Sequence, residues 1–163
     1  MNINMRNRCA ISLKDIEQAS FLLQEYNHLE EDDIGLLGEA IISMAIIAYG
    51  RVFCTNYGST ETDGNIPFES WFSHTNENMH LYQEVRDCGY SVKEIDEYHK
   101  KILELRSKVI AHSDSKMHQV SLVKSAAFVI VDKSEIDIRL LETLIDLSRI
   151  YLIDIGEIRA FGF

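Results

Sequence analysis

Apolar residues recur with helical spacing along most of this chain. Leu13, Ile16, Ser20, Leu23 and Asn27 alternate three and four apart, with Phe21, Leu22 and Tyr26 widening the face, which predicts a helix from Ser12 to Leu29. The acidic run from Glu30 to Asp33 then sets negative charge ahead of a second helix, where the positive end of the helix dipole favours it. That helix is predicted over Ile34–Cys54, and its middle is apolar on nearly all sides, which marks it as the buried centre of the fold. Thr55–Phe68 is rich in Gly, Asn, Ser and Thr and holds the sole proline, so it reads as a long loop. A shorter helix over Glu69–Asp87 follows, ended by Cys88-Gly89.

Ser91-Val92-Lys93-Glu94 has the pattern of a capping box and opens the next helix. Along it, Ile95, Tyr98, Ile102, Leu105, Val109 and His112 form a continuous three–four seam. Ser134-Glu135-Ile136-Asp137 is a similar start signal. Behind it, Ile136, Leu140, Leu144, Leu147 and Tyr151 share a face, with Leu141, Ile145 and Leu152 alongside. Gln119–Asp132, between these helices, alternates in part and is rich in β-branched residues, so a small β-hairpin is expected there. The expected architecture is an all-α, up-and-down bundle of four to five helices with that hairpin near residues 119–132.

Length changes this picture little: 163 residues suit one domain with a self-sufficient core. Cys9, Cys54 and Cys88 are odd in number and far apart, which argues against a disulfide framework or structural zinc site and for a reducing compartment. No signal peptide is read at the N-terminus, and the longest apolar run, Ala40–Gly50, is far shorter than the roughly 20 residues of a membrane span. A cytoplasmic protein without a membrane partner is expected. The net charge of −10 works against nonspecific binding to a phosphate backbone. The charge is uneven, however. From His99 to Lys124 six cations (Lys100, Lys101, Arg106, Lys108, Lys116, Lys124) face two anions (Glu104, Asp114), a net of +4, which leaves −14 for the remainder.

Candidate chemistry concentrates in that stretch. Arg106 and His112 are six residues apart, so on one straight helix their side chains point about 120° apart and are separated by about 9 Å of rise. They converge on one anion only if a second copy of the helix crosses the first in a homodimer, or if the helix ends near Ala111 and His112 turns back. Arg106-Ser-Lys-Val-Ile-Ala-His112 resembles the R-x(4–6)-H motif of the HEPN superfamily of helical-bundle proteins. The longer phrase LRSKVIAHSD is similar to wording common in its bacterial members, several of them linked to abortive infection and toxin–antitoxin systems.

That resemblance implies a metal-independent endoribonuclease with no cofactor. Its RNA site would be shared across a homodimer, and it would answer to a cognate antitoxin or other partner protein. His112 would shuttle protons, Arg106 would hold the scissile phosphate, and Ser107 would contribute to substrate binding. Where active members commonly carry a polar amide or acid after the arginine, this chain has the shorter Ser107. Where members modified by a nucleotidyltransferase carry a tyrosine shortly after the histidine, it has Ser113-Asp114-Ser115, so that form of control is not expected.

The bland readings stand beside this one. Non-catalytic members use the same bundle for binding and assembly. A histidine near a helix C-terminus is favoured by the dipole, and an arginine on an amphipathic helix often lays its stem along apolar surface with its head in water. Arg51 reads equally as a second phosphate contact or as a cap on the second helix. His28, His99 and His118 read as solvated surface residues, and no histidine spacing points to zinc.

Overall fold

The structure is a computed structural model. It describes residues 3–30, 35–53, 85–117 and 133–160, with side chains described over 9–30, 35–53, 85–107 and 134–153. The predicted 55–68 loop, most of the predicted 69–87 helix, the 119–132 hairpin and His118 lie outside the described residues. Among those described are four α-helices, α1 (Ile3–Asn27), α2 (Leu36–Phe53), α3 (Val92–Met117) and α4 (Ile138–Ala160), and a 3₁₀ turn at Lys133–Glu135. The protein is an all-α helical bundle. Helix α1 packs on α2 and α4, while α3 packs on α2 and touches the start of α4.

Helix α1 begins nine residues earlier than its periodicity suggests, and its buried line also differs. Cys9, Ser12, Ile16, Ala19 and Leu23 form the seam, so the small residues Ser12 and Ala19 take the places expected for Leu13 and Ser20. Small side chains let neighbouring helices approach closely, an advantage that hydrophobicity alone does not register. Phe21, expected to widen the buried face, is 58% exposed. Helix α2 runs antiparallel to α1. At one end Gly38 lies so close to Tyr26 that an added Cβ would sit 3.0 Å from its ring, and at the other Arg51 pairs with Asp15 at 3.2 Å. Asn27, the last residue of α1, donates to Glu142 in the second turn of α4 at 2.7 Å.

Helix α2 is the core helix its composition predicts. Ile42, Ala45, Ile46, Ala48, Tyr49 and Val52 are buried, and the mainly hydrophobic cluster they join takes in the inner faces of the other three helices. By length and composition α2 alone among the described helices could cross a membrane, yet 56% of it is buried inside the bundle. Its apolar surface is therefore largely used in packing.

The start and stop signals act as their chemistry demands. Ser91 N–H donates to Glu94 Oε2 at 2.8 Å, and Glu94 N–H donates to Ser91 Oγ at 3.2 Å, a reciprocal capping box that opens α3. Bonds from Ser91 hold the Glu94 carboxyl below its ordinary pKa. Just upstream, residues 85–87 are helical and Gly89 adopts φ +80°, the left-handed ending that Cys88-Gly89 predicts. For α4 the capping residue is Asp137 rather than Ser134. Its Oδ1 accepts the Leu140 N–H at 3.0 Å, and the three residues before Ile136 form the 3₁₀ turn instead.

Candidate functional site at the contact of helices α2 and α3

On α3, Ile95, His99, Ile102 and Arg106 are spaced four, three and four apart, which puts them on one stripe. Tyr49 and Gly50, adjacent on α2, meet that stripe at two points. The Tyr49 hydroxyl and His99 Nδ1 share a hydrogen bond of 2.6 Å, and Tyr49 also meets the Ser148 hydroxyl of α4. Phe53 packs edge-on against the imidazole, with ring centroids 4.7 Å apart. His99 is therefore fully buried, not solvated as its neighbours Lys100 and Lys101 suggest. Burial lowers its pKa to about 3, with a smaller contribution from Lys100, so the ring is neutral at physiological pH. Burial likewise raises the Tyr49 phenol well above its usual range. A buried, neutral pair of this kind is a structural joint and not a proton shuttle. His28, by contrast, is exposed as expected.

The second point of contact involves the motif arginine. A Cβ built on Gly50 would lie 2.8 Å from both Cγ and Cδ of Arg106, so the arginine stem rests directly on the α2 backbone. Arg106 is half-buried, and its Nε is buried without a hydrogen-bond partner among the described residues. A guanidinium in that position usually has an anionic or carbonyl partner, because desolvating an unpaired charge is costly. Arg51, one residue further along α2, is committed to Asp15.

Ser107 is exposed, and its hydroxyl donates to the Leu103 carbonyl of its own helix at 3.0 Å. In this arrangement it offers an incoming anion no donor. His112 lies within α3, but its side chain is outside the described residues. The helix continues to Met117, so it does not end near Ala111 as one of the two routes to convergence requires. The local reason is plain: no glycine or proline interrupts residues 91–117. His112 is consequently five residues inside the helix end, beyond the last turn over which the dipole favours a cation. Of the two routes, association with a second copy is the one left. Among the described residues no cluster of three or more metal-ligating side chains forms.

Sequence reasoning missed His99 and Gly50. The first carried a readable signal, since it lies four residues after Ile95 and three before Ile102. The second carried none, because its meaning depends on what packs against it. Comparison of the chain with protein-family models, with curated proteins and with solved structures found no match.

Proposed function

We propose that the chain is a HEPN-like, metal-independent endoribonuclease that works as a cytoplasmic homodimer, in a defence or toxin–antitoxin setting with a cognate antitoxin. The observation that carries this reading is Arg106: its stem is packed, its Nε is buried and partnerless among the described residues, and it shares an unbroken helix with His112. In a dimer the Arg106 of one subunit and the His112 of the other would face the same phosphate. One imidazole takes the proton of a 2′-hydroxyl, the 2′-oxygen bonds to phosphorus, the bond from phosphorus to the 5′-oxygen breaks, and an imidazolium returns a proton to that oxygen. Histidine, with an ordinary pKa of about 6.5, fits both tasks near neutral pH. The guanidinium offsets the charge that grows on the phosphate oxygens.

Purified protein is then expected to cut RNA to 2′,3′-cyclic phosphate and 5′-hydroxyl ends. His112→Ala is expected to lower that rate by about 100-fold or more. The acidic balance of −10 and the internal bond of Ser107 favour a second reading, a non-catalytic binding or adaptor module of the same fold. Equal RNA cleavage by wild type and His112→Ala would leave only the adaptor.

A further inference from the structure

We infer that Gly50 is the positioning residue of Arg106: by lacking a Cβ it lets the arginine stem lie on α2 and so sets where the guanidinium meets the phosphate. The inference rests on the ribonuclease reading for its functional consequence, and on packing alone for its structural part. Three observations on two helices support it. A Cβ at Gly50 would come within 2.8 Å of Arg106 Cγ and Cδ, closer than side-chain carbons pack, and within a tight 3.3 Å of its Cβ. The buried Nε has no hydrogen-bond partner among the described residues, and the stem that carries it lies against the α2 backbone. Two turns away on the same stripe of α3, Tyr49 bonds His99, and this second contact fixes the rotation of α3 about its own axis against α2. Glycine inside a buried helix normally weakens it relative to alanine by about 1 kcal/mol. A reason specific to this position is therefore required, and the arginine stem supplies it.

The test is a double-substitution cycle on the full-length protein, read by thermal unfolding and by RNA cleavage. Gly50→Ala alone should lower the unfolding midpoint by about 5 °C, because the new methyl group overpacks against the stem. In an Arg106→Ala background the same substitution should leave the midpoint unchanged or raise it, since alanine is the better helix former and the two carbons that obstruct most, Cγ and Cδ, are gone. In cleavage, Gly50→Ala should reduce kcat by about 100-fold with little change in KM, as expected for a misplaced transition-state contact, and it should add nothing to the loss caused by Arg106→Ala.

A midpoint change that is the same in both backgrounds would overturn the packing part. Wild-type kcat in folded Gly50→Ala protein would overturn the positioning role. Failure of the function itself looks different: wild-type protein would not cut RNA at all, and the unfolding cycle would still decide whether Gly50 seats the arginine.

Discussion

His99 shows how one residue can change its chemistry on folding. In an unfolded chain its imidazole titrates near the ordinary value of about 6.5. In the bundle, burial against Tyr49 and Phe53 lowers the pKa to about 3. A group whose folded pKa is depressed contributes stability that is fully present above the unfolded pKa and is lost as pH falls towards the folded one. The window is therefore pH 6.5 down to 3, and the full span corresponds to a loss on the order of 5 kcal/mol. Between pH 6.5 and 5, before most carboxylates titrate, stability measured by urea unfolding should fall with a slope approaching one proton. His99→Gln, whose amide can pair with Tyr49 as donor or acceptor, should flatten that slope. An unchanged slope would show that the loss comes from elsewhere. At the same scale, Ser107 shows how a plausible ligand can be engaged locally, its proton held by Leu103.

At the scale of elements, boundaries follow from short-range chemistry, and the sequence displays it. The Ser91–Glu94 box and the Cys88-Gly89 ending are readable because each bond joins residues within four positions of one another. The start of α4 was harder to read. Ser134 and Asp137 are both competent caps, and the choice of Asp137 coincides with long-range contacts. The Tyr98 hydroxyl on α3 donates to the Asp137 carbonyl at 2.8 Å, and Lys101 Nζ donates to the carbonyl of Glu135, so α3 holds this connection in place. Asp137→Ala should cost about 1 kcal/mol in denaturant unfolding. An unchanged stability would show that the Asp137 side chain does not cap α4.

For the whole molecule the question is how many copies make the site. Since α3 is continuous to Met117, Arg106 and His112 of one chain diverge by about 120° around it. The proposed reaction therefore needs a dimer, and sedimentation at the concentration used for cleavage should give about twice the 18.7 kDa chain mass. Mixing inactive Arg106→Ala with inactive His112→Ala protein should restore part of the activity, because a mixed dimer can keep one intact pair. A monomer that cuts RNA would refute the shared site.

The sequence by itself determined the helical class, the buried central helix, the capping box and the apolar seam of α3 from Ile95 to Leu105, because each is written in residues a few positions apart. Tertiary structure alone decided that small Ser12 and Ala19 line the α1 seam, that His99 meets Tyr49 and Phe53 and is neutral, and that Gly50 faces Arg106. Those facts concern distances between segments tens of residues apart. Periodicity shows which side of a helix is turned inward, but the atoms that side meets are settled only when the helices pack.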